Sequence, residues 1–266
     1  LLVQVSGPAE QGKAIPVTTR LLFKSRFAII TPDAPGLNIS RRIKDDDRRA
    51  ELSAIAEAGM AGASDSLGLI LRSGCLEAED QAVVEDIAAM RSLAEAVLAD
   101  ISGPPELLVD GPSAHDLAFR DWLDPAVDDA DTGPESFERH GVTEALESLR
   151  SPRVALEAGA HMMIEPTRAL VAVDVNTGPD TSPAAGLKAN VAAARDLPRQ
   201  LRLRGLGGQV VVDFAPMPKR ERHILDQVLK AAFKADGDAN LAGWTTLGLY
   251  ELTRKRDRLP LSELLP

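Results

Sequence analysis

The chain is poor in several residue types, and each shortage excludes a class of protein. Cys75 is the only cysteine among 266 residues, which excludes an internal disulfide and any Cys-x-x-Cys zinc site within this sequence. Aromatic residues make up 3%, so side chains on which bases could stack are scarce. No apolar run approaches the roughly 18 residues that a membrane span needs, and the first residues lack the signal-peptide pattern. We therefore expect a reduced, cytoplasmic setting and no membrane span.

Several catalytic motifs are missing as well. There is no GxxxxGK[ST] phosphate loop and no Gly-x-Ser-x-Gly elbow, which argues against a P-loop ATPase and against serine nucleophile chemistry. The glycines of 205–208 precede a predicted strand, so they are better interpreted as a helix C-cap than as a dinucleotide fingerprint. The four histidines do not have the spacing of metal ligands.

What remains has the composition of an ordinary globular protein, with 44% hydrophobic and 26% charged residues. The formal net charge is −10, which on its face argues against a polyanionic partner. The charge is unevenly distributed, however, because residues 121–180 are strongly acidic and residues 195–258 have an excess of Lys and Arg. The basic part can still bind phosphate locally.

Hydrophobic periodicity predicts an α/β chain in which strands alternate with helices. A proline, Pro198, falls inside one predicted helix and is expected to kink or split it, and residues 121–136 read as an acidic surface loop. The predicted strands are 17–31 (two short strands around a basic turn), 67–72, 106–110, 161–164, 169–175, 210–214 and 247–252. The predicted helices are 47–57, 79–101, 137–149, 187–203 and 219–234.

Two predicted strands each contain one acid within an apolar run, Asp174 in LVAVDVN and Asp213 in QVVVDFA. Burying a carboxylate there costs several kcal/mol unless a cation or hydrogen bonds compensate. Aspartates at two strand ends of one sheet can converge on a hard divalent ion such as Mg²⁺. Asn176 shares a face with Asp174 and could orient a water or a phosphate oxygen. The alternative is that each Asp only caps the turn that follows its strand.

The predicted helix 187–203 and the residue after it supply a row of arginines. Arg195, Arg199, Arg202 and Arg204 could follow a phosphate backbone. The alternative is a solvated charged face without a ligand.

Taken together, the segments of this chain resemble the ribonuclease E/G family. The central resemblance is EPTRALVAVDVNTG, then a helix ending RQLRLRGLGG, then QVVVDF. Similar segments come before it (GKAIPVTT, ITPDAPGLNISRRI and GLILRSG), and LGLYELTRKR comes after it. Nearly the whole chain is covered. The family consists of endoribonucleases that process ribosomal and transfer RNA precursors and initiate messenger RNA decay.

The resemblance implies a Mg²⁺-dependent hydrolysis of single-stranded RNA that leaves 5′-phosphate and 3′-hydroxyl ends. Asp174 and Asp213 would hold the Mg²⁺ ion, for which Mn²⁺ is the alternative, and Asn176 would be the third catalytic residue. Without the resemblance, the two aspartates are also compatible with a Mg²⁺-dependent phosphatase or nucleotide hydrolase. That function would leave the basic helix unexplained.

The resemblance also implies that the enzyme senses a 5′-monophosphate on its RNA. The matching positions are Arg72 and Ser73, with the backbone near Ile29 lining the pocket. An arginine beside a hydroxyl at a strand end is a chemically sensible phosphate clamp. The resemblance further places Lys13 and the pair Arg41 and Arg42 near the path of the RNA.

By the same resemblance, we expect α+β subdomains with mixed sheets. These are a remnant of an OB-fold domain at 1–16, a 5′-end sensor at 17–110, a ribonuclease-H-like piece at 111–165, a deoxyribonuclease-like catalytic piece at 166–259 and a tail at 260–266. The chain starts at Leu1, so we expect that most of the OB-fold domain is missing. Homo-oligomers remain open, but the family's zinc-linked dimer is not expected without its Cys-x-x-Cys motif. An alternative function is an RNA-binding or scaffold module without efficient cleavage.

Overall fold

The computed structural model describes residues 1–9, 12–122, 129–182, 184–234 and 239–265. It confirms a mixed α/β chain of eight α-helices and three sheets within those ranges. The chain divides into two compact units, the first of residues 1–5 and 17–130, the second of residues 6–16 and 131–266. Part of the predicted acidic loop, residues 123–128, lies outside the described residues.

The first unit contains a four-stranded sheet, a short two-stranded ribbon and three helices. Its strands are β1 (Gln4–Val5), β2 (Val17–Thr18), β3 (Phe23–Lys24), β4 (Ala28–Pro32), β5 (Gly36–Ile39) and β6 (Leu67–Leu71). Its helices are α1 (Asp46–Gly59), α2 (Asp80–Ala99) and α3 (Ala114–Asp121). The ribbon pairs β1 with β2, and the larger sheet has the order β3-β4-β6-β5, in which only the β5–β6 pair is parallel.

The core of the first unit lies between this sheet and two helices. α2 packs on β3 and β4, and α1 packs on β5 and β6. The buried side chains of α2 are Val83, Ile87 and Ala94, at the spacing of one helix face. The predictions of both helices and of β6 are confirmed to within about two residues at their ends.

The second unit is built on a six-stranded sheet. Its strands are β7 (Arg153–Ala155), β8 (His161–Pro166), β9 (Leu170–Asn176), β10 (Gly208–Asp213), β11 (Ala239–Trp244) and β12 (Tyr250–Arg254). Its helices are α4 (Ser136–Arg139), α5 (Val142–Arg150), α6 (Ala185–Leu203), α7 (Arg222–Phe233) and α8 (Leu261–Leu264). The order across the sheet is β11-β12-β10-β9-β8-β7. Only β9 and β10 are parallel, and α6 is the crossover that joins them.

Helices α6 and α7 form the other side of the core in the second unit. α6 packs on β8 and β9, and α7 packs on α6 and β11. Small residues such as Ala189, Ala193 and Ala194 are buried on α6, which lets the helix approach the valines of the sheet closely. An aromatic group of Phe214, Trp244 and Tyr250, with ring centroids 5.2 to 6.3 Å apart, closes the end of this core.

Three predictions about the elements are wrong. Residues 106–110 do not form a strand, because Leu107 and Val109 remain exposed and pair with no neighbour. The predicted helix 137–149 is divided into α4 and α5 at Gly141, where φ is +65°. Pro198 does not split α6, which continues through it with the proline ring buried. No helix in the described part of the chain is long and apolar enough to cross a membrane.

Candidate active site

The two aspartates of the predicted metal site are neighbours in the sheet. Asp174 in β9 and Asp213 in β10 are direct partners in the parallel register. Each stands at or near the carboxyl end of its strand, and parallel strands bring these ends to the same edge of a sheet. The fold thus brings together two acids that are far apart in the sequence.

The aspartates point away from the core. In β9 the valines 171, 173 and 175 are buried whereas Asp174 is exposed, and in β10 Val210 and Val212 are buried whereas Asp213 is exposed. Neither carboxylate is therefore buried, and the free-energy cost of burying a charge in these apolar runs does not arise. The apolar runs are alternating strands, because period-2 geometry sends every second side chain to the open face.

Asn176 joins this pair. Its Nδ2 donates a hydrogen bond of 2.7 Å to Oδ2 of Asp174, and its side chain is half-buried. The amide thereby fixes the orientation of the Asp174 carboxylate and leaves its other oxygen available. Within the described residues, no group of three or more His, Cys, Asp or Glu side chains could hold a metal ion. The acids at this place are the pair Asp174 and Asp213.

The segment that follows Asp213 is held from two sides. Asn190 of α6, which is 0% exposed, donates from Nδ2 to the carbonyl of Ala215 and accepts the Ala215 N–H at Oδ1, both at 2.9 Å. Phe214 inserts into the aromatic group with Trp244. This strand end is therefore rigidly placed. The sequence analysis did not predict this role of Asn190. A polar residue on the apolar face of a predicted amphipathic helix indicates a buried hydrogen bond and could have identified it.

The turn after Asn176 depends on Gly178. This residue has φ +64°, and a Cβ built on it would lie 2.3 Å from the carbonyl oxygen of Gly159. The chain therefore tolerates no side chain at this position without moving the turn.

We expect Gly178→Ala to lower the free energy of unfolding by about 2–3 kcal/mol, because left-handed strain and a backbone clash act together. RNA cleavage should also fall, since Asn176 is two residues away. The matched control is Gly141→Ala, where φ is +65° but nothing lies within 4 Å of the added Cβ, so only the strain remains. Urea unfolding of both variants measures the difference, and equal losses would mean that the contact with Gly159 is unimportant.

The predicted phosphate-sensing residues lie in the first unit. Arg72 follows β6, and its Nη1 donates to the carbonyls of Ser25 and of Arg120, the latter at 3.0 Å, while its Nη2 donates to Asp121 at 2.8 Å. Ser73, half-buried, starts the next turn. Ile29 of β4 is the register partner of Lys24 in β3, next to the turn that was predicted to be basic.

The loop 25–28 beside Arg72 is shaped by Asp86 of α2. Its Oδ2 accepts the N–H groups of Phe27 and Ala28 at 2.9 and 3.0 Å, and also the hydroxyl of Ser25. The Ser25 hydroxyl is therefore bound to a carboxylate in the protein.

Burial raises the pKa of the Cys75 thiol to about 11, so the only cysteine is a neutral, packed group.

The predicted RNA-binding cations are not all on the surface. Lys13, the pair Arg41 and Arg42, and the two helix residues Arg199 and Arg202 are exposed. Arg199 also pairs with Asp196 at 2.6 Å.

Arg204 differs from these residues, because it is buried. Its burial contradicts the prediction that it contacts RNA. It is 6% exposed, and it donates to Gln200 and, at 3.0 Å, to the carbonyl of Ser151. Burial lowers its pKa, but it remains a cation that holds the end of α6 to the segment before β7.

Comparisons with known proteins agree with this picture. A model of the family described as "Ribonuclease E/G family" matches residues 23–132 and 126–257. Ribonuclease E of Nostoc sp. is 30% identical across 99% of this chain and 44% of its own length. Ribonuclease G of Haemophilus influenzae is 27% identical, and that of Escherichia coli K12 25% identical, each across 100% of this chain and 61% of its own length. The chain thus spans about half the length of the curated relatives that it matches.

Proposed function

Since the chain belongs to the ribonuclease E/G family, we propose that it is an endoribonuclease that hydrolyses single-stranded RNA with the help of Mg²⁺. The observation that carries the proposal is the register pairing of Asp174 with Asp213 on the open face of the sheet, with Asn176 bonded to the former. Relatives along the entire chain bear the name ribonuclease, which agrees with RNA as the substrate.

The donor set fits a hard divalent ion. Mg²⁺ is usually held by one or two carboxylates, keeps several of its waters and also contacts phosphate oxygens. Two exposed carboxylates on adjacent strands match that demand. Mn²⁺, which prefers the same ligands, is the alternative ion. A divalent ion bound here would offset the charge of the scissile phosphate and acidify a water.

The residues of the chain supply the arrangement. Asp174 and Asp213 provide two negative charges on a rigid sheet, and Asn176 holds the Asp174 carboxylate in one orientation. We propose that a single strand of RNA approaches these exposed carboxylates from the open face of the sheet. We propose that Lys13, Arg41, Arg42, Arg199 and Arg202 contact the RNA backbone, whose phosphates attract such exposed cations.

The test is cleavage of a short, labelled, A/U-rich single-stranded RNA with and without Mg²⁺. We expect cutting that requires the ion and leaves 5′-phosphate and 3′-hydroxyl ends. A 2′,3′-cyclic phosphate product would contradict the hydrolytic proposal. Binding in EDTA without cutting in Mg²⁺ would favour an RNA-binding module, which is the alternative because the chain spans only part of its relatives.

We further propose that the enzyme senses the 5′ end of its substrate through Arg72, Ser73 and the backbone near Ile29. The support is that Nη2 of Arg72 already binds an anionic group, the carboxylate of Asp121, and that Ser73 supplies a hydroxyl beside it. In the cell this activity would serve ribosomal RNA processing and messenger RNA decay in the cytoplasm.

For Arg72→Ala, we expect the ratio of cleavage rates on 5′-monophosphate and 5′-hydroxyl RNA to fall about tenfold, because a charge-assisted hydrogen bond to the phosphate is lost. Cutting of 5′-hydroxyl RNA should persist. Arg20→Ala is the matched control, since it removes the same charge from an exposed position of the same unit. If the ratio does not change, Arg72 is not the clamp.

A further inference from the structure

One carboxylate in the first unit is surrounded by three cations. Oδ1 of Asp121 lies 3.0 Å from Nζ of Lys24 and 2.8 Å from Nη2 of Arg72, and its Oδ2 lies 2.8 Å from Nη2 of Arg120. Nε of Arg120 donates to the same Oδ2 at 3.2 Å. Both oxygens are thus held by cationic donors, in the manner in which proteins hold a phosphate.

The charges in this cluster do not balance, because three cations share one carboxylate. The side chains are also partly withdrawn from water, with exposed fractions of 34% for Lys24, 16% for Arg72 and 21% for Arg120. Burial opposes ionisation of Asp121, yet hydrogen bonds from Arg120, Lys24 and Arg72 hold the pKa of its carboxyl well below the ordinary value. Burial lowers the pKa of Lys24 despite that partner. A ligand with two negative charges would neutralise the cluster better than the carboxylate does.

The residue that occupies the cluster is attached to a weakly packed element. Asp121 is the last residue of α3, a helix of eight residues in which no side chain is buried. Phe119 of the same helix is 61% exposed and lies under the guanidinium of Arg26, 4.4 Å from it. Turning the Asp121 side chain away from the cluster, with Arg120 left in place, would therefore expose little apolar surface, so displacement of Asp121 costs little core packing.

We propose that Lys24 and Arg120 complete, with Arg72, the site for a 5′-terminal phosphate, and that Asp121 is the internal competitor that this phosphate must displace. This inference rests on the proposed sensing of the 5′ end and assigns its specificity. A phosphomonoester carries nearly two charges at neutral pH, since its second pKa is about 6. Such a group can outcompete one tethered carboxylate, whereas a 5′-hydroxyl brings no charge and leaves Asp121 in place.

The test uses Asp121→Asn, which keeps the size of the side chain and removes its charge. The binding probe is a short 2′-O-methyl RNA with either a 5′-monophosphate or a 5′-hydroxyl, measured in EDTA so that cleavage plays no part. We expect the variant to bind the 5′-monophosphate probe about tenfold more tightly than the unaltered chain, because the fraction of open sites increases. Affinity for the 5′-hydroxyl probe should change far less.

A matched control separates this effect from a general gain in attraction to RNA. Asp110→Asn removes the same charge from an exposed position of the same unit, so it should leave the preference for the 5′-monophosphate unchanged. A second readout is the thermal unfolding midpoint in millimolar inorganic phosphate. It should rise more for Asp121→Asn than for the unaltered chain, because three cations without a carboxylate gain a counter-ion.

The outcomes distinguish this inference from the proposed function. If Asp121→Asn binds the 5′-monophosphate probe no better and phosphate does not raise its midpoint further, Asp121 is only a structural ion-pair partner and the inference is overturned, even where the chain cuts RNA. A gain in 5′-monophosphate binding by a chain that does not cut would support the inference and count against the endonuclease.

Discussion

Replacing Asp213 by asparagine is expected to lower the turnover of RNA cleavage by at least about 100-fold, as removal of a metal ligand and its charge commonly does. Asn keeps the volume of the side chain, removes its negative charge and replaces one acceptor oxygen by an NH₂ donor. Because Asp213 is exposed at a strand end, the fold should remain intact. The loss would therefore report the negative charge and not a damaged sheet.

The measurement is single-turnover cleavage of the labelled RNA over a range of Mg²⁺ concentrations. Glu251→Gln is the matched control, since Glu251 is an exposed acid of β12 that pairs with Val211 and thus lies on the same open face. It should cut at close to the normal rate. Near-normal turnover of Asp213→Asn with an unchanged Mg²⁺ requirement would refute the assignment.

The second large effect is expected for Asn190→Ala, which should reduce the free energy of unfolding by about 3 kcal/mol. The substitution leaves the buried N–H and C=O of Ala215 without the partners that they have now, and each unsatisfied buried group costs roughly 1–3 kcal/mol. Turnover should fall as well, about tenfold at a temperature where the variant is folded, because Ala215 is two residues from Asp213 and misplacement of a catalytic group is costly.

Denaturant unfolding and cleavage kinetics, measured on the same preparation, separate the two consequences. Asn240→Ala, which removes an amide from an exposed position of the edge strand β11, is the control and should change neither quantity appreciably. If Asn190→Ala is no less stable than this control, the hydrogen bonds to Ala215 do not contribute as proposed.

The sequence was sufficient for the parts of the fold that carry a strong periodic signal. The helices that became α1, α2, α6 and α7 were predicted, as were the central strands β8, β9 and β10. The adjacency of Asp174 and Asp213 also followed, because two strands joined by a helix are expected to pair in parallel. It is confirmed by their register.

The errors have physical causes. The alternation of buried and exposed residues in β9 and β10 was interpreted as an apolar run. The reason is that the apolar Ala172 and Val211 lie on the same exposed face as Asp174 and Asp213. The edge strand β7 has three residues, which is too few for a periodic signal. The edge strand β11 has six residues, but its register shifts between Leu241 and Gly243, and such a bulge breaks the period-2 pattern. Residues 106–110 have the composition of a strand, but pairing depends on neighbours that no local window contains.

The cluster around Asp121 could not be predicted for a similar reason. Lys24, Arg72 and Asp121 come from three distant segments, and nothing in each segment alone indicates that the others are near. The burial of Arg204 could not be predicted either, because the neighbouring arginines of the sequence are exposed. Its direction depends on its contacts with Gln200 and with the carbonyl of Ser151 at the end of α6.

The single cysteine has a consequence for experiments on how the chain unfolds. Cys75 is 0% exposed in the first unit, whereas Trp244 is a half-buried residue of the second unit and Trp122, in the first, is already 67% exposed. The rate of alkylation of the thiol therefore measures transient opening of the first unit, while the change in tryptophan fluorescence is dominated by the second. The chain thus reports the local stability of each unit separately, without an engineered label.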